Sequence, residues 1–246
     1  GNSAAAAAPT ENDIVSCPGM DKRWKTIVEG LVLQLSDLRS KVVRQACAAV
    51  ATLASTLGST FSSYVELVLP KLLLLTSQAK MVMSCSADLC IKYLIGSNGR
   101  SGHPKMLHLL VGATERRKNR DATRSHGQQY LRLALSTWTK RACNKESTSI
   151  RQSIIDSLKD PNVEVREAAR WTYWSYHVHW SEESALILKS LSTAETNRLF
   201  EAKPTSEMRR VEDDVKLVEC DVIKQQLRFV DAAAAAAGAA GGGGGG

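Results

Sequence analysis

In the stretch SKVVRQACAAVATLASTL, residues 40–57, Val43, Cys47, Val50, Ala54 and Leu57 recur at offsets 0, 4, 7, 11 and 14. That spacing follows the 3.6-residue turn of an α-helix and predicts one apolar face buried against neighbours. The same beat returns at Val165, Ala169, Thr172, Tyr176 and Trp180, at offsets 0, 4, 7, 11 and 15. Between the two, Tyr64–Leu75 is apolar on most sides, the pattern of an inner helix packed between others. No stretch sustains the two-residue alternation of a half-buried strand, so the fold class is all-α.

The helices come in pairs. Polar turns that split one helix from the next begin near Ser36, Thr76, Thr114 and Lys159, at intervals of 40, 38 and 45 residues. Two helices per unit at such a period predict a HEAT-repeat α-solenoid. A unit of this kind cannot bury its apolar face alone, so stacked neighbours supply the core and the domain is a slab. The punctuation agrees: Gly58 ends one helix, Gly96–His103 is a glycine-rich connector, Pro104 suits a first helical turn, and Lys159-Asp160-Pro161-Asn162 breaks the chain before a helix near Val163.

Working outward, residues 1–20 are a low-complexity lead-in, 21–204 the solenoid, 205–231 an amphipathic C-terminal helix and 232–246 an Ala/Gly tail. In 205–231, Met208, Val211, Val215, Val218, Val222, Gln225 and Phe229 are spaced 3-4-3-4-3-4. Such a seam either dimerises or folds back as a cap; a short zipper with a polar seam position favours the cap or a helix for a partner.

The 246 residues are 43% hydrophobic and 23% charged, the balance of a globular domain, with a net charge of +7 that favours acidic partners. The richest apolar run, Val65–Leu75, is interrupted by Glu66, Pro70 and Lys71, so no membrane span is expected. Ala4–Ala8 lacks the cationic start and apolar core of a secretory signal. Six cysteines (Cys17, Cys47, Cys85, Cys90, Cys143, Cys220) with no C-x-x-C pair read as reduced, mostly buried thiols, not as a metal site.

In a solenoid, the short turns inside each helical pair line up along one edge. Here each carries cations: Arg39 and Lys41 in the first, Lys80 in the second, Arg116, Arg117, Lys118, Arg120 and Arg124 in the third, Arg166 after the fourth. One such residue is ordinarily a solvated surface charge. Four successive turns form a basic ridge that would steer an acidic partner, more weakly as salt rises.

The segment Asp37-Leu38-Arg39-Ser40-Lys41-Val42-Val43-Arg44-Gln45-Ala46-Cys47, continuing to Leu53 and Leu57-Gly58, resembles the helical repeat of a TOG domain of the CLASP (cytoplasmic linker-associated protein) family. Ala79-Lys80-Met81-Val82 with Ser86-Ala87-Asp88-Leu89-Cys90-Ile91-Lys92, then Arg124 with Tyr130 and Trp138, then Val165-Arg166-Glu167-Ala168-Ala169-Arg170 with Tyr173, follow the pattern in order. The resemblance spans about Lys22 to Lys203 and is nearest the family's second TOG domain. It implies a six-repeat HEAT slab that binds tubulin or the microtubule lattice through its intra-pair turns, in the cytoplasm and on the cytoskeleton. By matching position it implies tubulin contact by Lys80 and Arg166, then Arg39, Lys41 and Arg124, with Arg116, Arg117, Lys118 and Arg120 as electrostatic support. Three departures stand out. The exposed Trp of a leading turn is replaced by Trp24, only thirteen residues before Asp37 and expected in the core, so the first repeat is truncated or divergent. The third turn is longer and more basic than usual, and the chain continues past the last repeat.

Other signals are set aside. Gly96, Gly99 and Gly102 lack the Lys-Ser/Thr of a phosphate loop. His177 and His179, two apart, point to different helix faces and suit packing with Trp171, Trp174 and Trp180 better than metal binding. Cys143 has no neighbouring His in sequence and no carboxylate pair flanks a pocket, so no enzyme, metal or cofactor is expected. Glu115–Arg124 lacks aromatics to stack on bases, which disfavours nucleic acid. The competing reading is a generic α-solenoid scaffold in a larger cytoskeletal or ciliary assembly.

Overall fold

A computed structural model describes residues 20–202, and every regular element among them is helical. In chain order these are α1 (Met20–Leu35), α2 (Ser40–Leu57), α3 (Val65–Thr76), α4 (Met81–Gly96), α5 (Pro104–Thr114), α6 (Asp121–Thr137), the one-turn α7 (Lys140–Cys143), α8 (Ser147–Leu158), α9 (Val163–His179), α10 (Ser181–Lys189) and α11 (Thr193–Glu201). The proposed C-terminal helix and both low-complexity ends lie outside the described residues.

The helices form two layers. α1, α3, α5, α8 and α10 pack side by side in one; α2, α4, α6 and α9 do so in the other, with α11 set against α9 through Phe200 on Trp174. Every side chain of the two periodic series, from Val43 to Leu57 and from Val165 to Trp180, is buried. At about 25 cal/mol per Å2 of apolar surface, such stripes supply most of what holds one pair to the next.

Cross-links between neighbouring pairs repeat at a nearly constant sequence offset. The Cys90 thiol donates to the Cys47 carbonyl, 43 residues back, at 3.3 Å. Tyr130 Oη reaches Asp88, 42 back; Trp138 Nε1 reaches the Ile95 carbonyl, 43 back; Thr172 Oγ1 reaches the Gln128 carbonyl, 44 back. The stack therefore has the period expected of HEAT-like repeats. The interval of 45 residues before Lys159 is long because α7 and a 3-10 turn, Asn144–Glu146, intervene between α6 and α8.

Two details differ from the sequence reading. α3 is not enclosed: Leu67, Pro70 and Leu74 are exposed on the outer side of its layer. Cys47, Cys90 and Cys143 are buried, but Cys85 is exposed, because it falls off the face that packs against α2. Trp24 is partly buried against the core, as expected.

Candidate functional site

The turns within pairs are residues 36–39, 77–80, 115–120, 159–162 and 190–192. They share one edge because all five pairs run the same way, and hydrogen bonds connect several of them. Lys80 Nζ donates to the Leu38 carbonyl of the preceding turn at 2.9 Å. Asn162 Nδ2 donates to Asp121 Oδ2 at 3.0 Å, joining the fourth turn to the end of the third. Lys159 Nζ donates to the Ser190 carbonyl of the fifth at 2.7 Å.

The residues that begin the second-layer helices are unusual. Arg39, Lys80 and Arg120 occupy the N-cap of α2, α4 and α6, and none of the three side chains caps its helix. An N-cap prefers Ser, Thr, Asp or Asn, whose oxygen accepts a free backbone N–H. A cation there is repelled by the positive end of the helix dipole. By contrast Asn162 accepts from the backbone N–H groups of Glu164 and Val165, and Ser192 forms a reciprocal capping box with Glu195. Three successive helices of the second layer thus forgo a cap worth about 1 kcal/mol each and place a cation at the turn instead. Stability does not explain that choice; a partner would.

Arg39, Lys41, Lys80, Arg116, Arg117, Lys118 and Arg120 are exposed. Arg39 is held by Asp37, whose carboxylate accepts from its Nε and Nη2 at 3.0 and 2.8 Å. The Arg39 side-chain and backbone hydrogen bonds bring Asp37 down to about 2, so this turn stays an ion pair across the physiological range. Arg166 is half-buried one turn into α9. Its Nη1 folds back to the carbonyls of Asp160 and Pro161, both at 2.7 Å, which returns its charge to the turn.

Arg124 does not stand with these. Its side chain is 8% exposed and forks onto Asp160, with Nε–Oδ2 and Nη2–Oδ1 both 2.9 Å, while Nη1 donates to the Asn119 carbonyl. Burial works to raise the Asp160 pKa, but the hydrogen bonds from Arg124 and the Asn162 backbone, and the charges of Arg124 and Arg116, outweigh it and the net shift is downward. The pair braces the third turn against the fourth from inside.

Between the cations the edge exposes apolar side chains that charge counting passed over: Leu38 (83%), Met81 (76%) and Val163 (52%). Each lies at or next to the start of a second-layer helix. The sequence signal was there, since an apolar residue inside a polar turn breaks the pattern. The ridge is a mixed surface, cationic with apolar tips, as protein interfaces are.

The family described as CLASP N terminal matches residues 17–200. CLIP-associating protein 1 of Xenopus tropicalis is 27% identical over 163 residues, 66% of this chain and 11% of that protein. Protein STU1 of Cryptococcus neoformans is 26% identical over 219 residues, 80% of this chain and 17% of that protein. The chain therefore spans a small part of either relative. A solved structure of crescerin, described as using a TOG domain array to regulate microtubules in the primary cilium, matches with a TM-score of 0.52 at 16% identity, over 85% of this chain and 82% of that one. That likeness is one of fold.

Proposed function

We propose that this chain, which belongs to the CLASP N-terminal family, is a tubulin-binding module whose contact surface is the basic turn edge. The family is non-enzymatic and microtubule-associated, with a HEAT-like helical domain. The observation that carries the reading is the run of uncapped cations, Arg39, Lys80 and Arg120, at the start of three successive second-layer helices, α2, α4 and α6. Lys80 and Arg166 are the central contacts, flanked by Arg39 and Lys41. Arg116, Arg117, Lys118 and Arg120 draw in the acidic surface of the polymer over the screening length of about 8–10 Å. Leu38, Met81 and Val163 supply the apolar part of the contact. Arg124 serves by fixing the turns rather than by touching tubulin. The module comprises residues 21–204, corresponds to a second TOG domain, and works in the cytoplasm on microtubules.

Microtubule co-pelleting tests this. Lys80→Glu with Arg166→Glu is expected to weaken pelleting about tenfold or more, with helicity retained. Wild-type pelleting by the double variant would leave a generic scaffold as the better reading.

A further inference from the structure

A second charged feature lies past the tubulin ridge. Between α9 and α11, behind the fourth and fifth turns, is a recess of about 240 Å3 lined by Leu158, Lys159, Asp160, Arg166, Arg170, Glu195 and Arg198. Four of these seven residues are cationic. Of the two acids on its wall, Asp160 is paired with Arg124 and the Asn162 N–H; Glu195 accepts from the N–H and hydroxyl of Ser192, with the charges of Lys159 and Arg198 close enough to help keep it ionised. Four cations against two carboxylates leave the wall net positive. Asp160 is held ionised by its fork with Arg124, so it offers the recess little free negative charge.

The cations are less fully engaged. Arg166 uses Nη1 on two carbonyls. Among the described residues Arg170 has a distant ion pair, 4.0 Å, with the exposed Glu167. Arg198 is exposed, and no hydrogen bond to its guanidinium is found among the described residues. Three guanidiniums with open donor edges around a concave site raise the positive potential there. Guanidinium forks match carboxylates bidentately. No aromatic side chain lines the recess to stack on a base.

We propose that this recess is a docking site for an acidic peptide, a glutamate- or aspartate-rich segment of a protein partner, held by Arg170, Arg198 and the free edge of Arg166. The site does not depend on the tubulin reading, although Arg166 borders both surfaces.

Fluorescence anisotropy with a labelled octaglutamate peptide is the test, on the full chain, at about 50 mM and about 150 mM salt, where screening differs. Binding at low salt that weakens at high salt is expected. Arg170→Gln with Arg198→Gln should weaken it about tenfold, as should Arg198→Gln alone to a lesser degree, a change on an exposed side chain that leaves folding intact. Lys80→Glu should leave peptide binding unchanged, and the Arg170/Arg198 variant should still pellet with microtubules. No peptide binding at low salt, or equal binding by wild type and the double variant, would overturn the proposal. So would an oligothymidylate of matched charge binding more tightly through the same two arginines, which would make the site one for nucleic acid. Loss of pelleting on Lys80→Glu alone, a residue outside the recess, measured separately, reports only on the tubulin reading.

Discussion

His103 sits at the corner where α5 begins, fully buried, between Ser62 Oγ at 2.7 Å from Nδ1 and Ser97 Oγ at 2.9 Å from Nε2. Ser97 gives its own proton to the Leu94 carbonyl. It therefore accepts from Nε2–H, and Nδ1 accepts from Ser62, which fixes the neutral tautomer. Burial holds the His103 pKa down at about 4. The unfolded chain, with an ordinary value near 6.5, takes up that proton first. Stability is then complete above about pH 6.5, falls as the pH drops to about 4, and levels off below. The loss is roughly 3 kcal/mol over that window. Melting temperature against pH checks it: the decline between pH 7 and 4.5 should be flatter in His103→Gln than in wild type, and parallel curves would remove His103 as the cause. Neither this corner nor the Arg124–Asp160 fork was readable from periodicity. Ser62 is 41 residues from His103 and Asp160 is 36 from Arg124. In sequence Arg124 is one more cation in a basic run, and Asp160 is part of a helix break. Only folding reveals that they neutralise each other.

At the scale of the helix, sequence told more. Helix starts and stops follow from local chemistry: Gly58 adopts φ 50° after α2, and Pro104 begins α5. Gly102, at φ 57°, lies so close under the Trp138 indole that a Cβ there would collide with the ring. The fifth pair does not stand out in the sequence, although Ser192 and Glu195 spell a capping box, because its turn is only the three residues Ser190-Leu191-Ser192 and carries no charge, Gly or Pro. The uncapped cations make a prediction about helix α6. Arg120→Ser supplies an N-cap oxygen and removes a charge opposed to the dipole, so the protein should gain about 1 kcal/mol. That is about 3 °C in melting temperature for a domain of this size. Tubulin binding should weaken in the same variant, and its salt dependence should become shallower. A variant that melts lower, or binds as wild type does, would mean that Arg120 is not kept for a partner. Opposite signs for stability and binding are the outcome that only a functional cation produces.

For the whole molecule the governing fact is that pairs touch mainly their neighbours, so the ridge is only as straight as each junction between turns. The junction of the third and fourth turns is the most heavily built: the buried Arg124–Asp160 fork, with Asn162 donating to Asp121 beside it. Among the described residues, the first and second turns are joined by the bond from Lys80 to the Leu38 carbonyl. Asp160→Asn keeps the shape but leaves the Arg124 guanidinium buried without its counter-ion, at a cost of about 3 kcal/mol. If coupling is between neighbours, amide exchange should quicken around residues 115–124 and 159–166 while α1 and α2 keep their protection. Microtubule binding should also fall, although neither Arg124 nor Asp160 is on the contact surface, because the charges of Arg116–Arg120 and Arg166 would no longer be held in fixed register. Uniform loss of protection from α1 to α11 would show a slab that opens as one unit. Unchanged binding beside locally faster exchange would show that the partner, not the fold, sets the spacing of the turns.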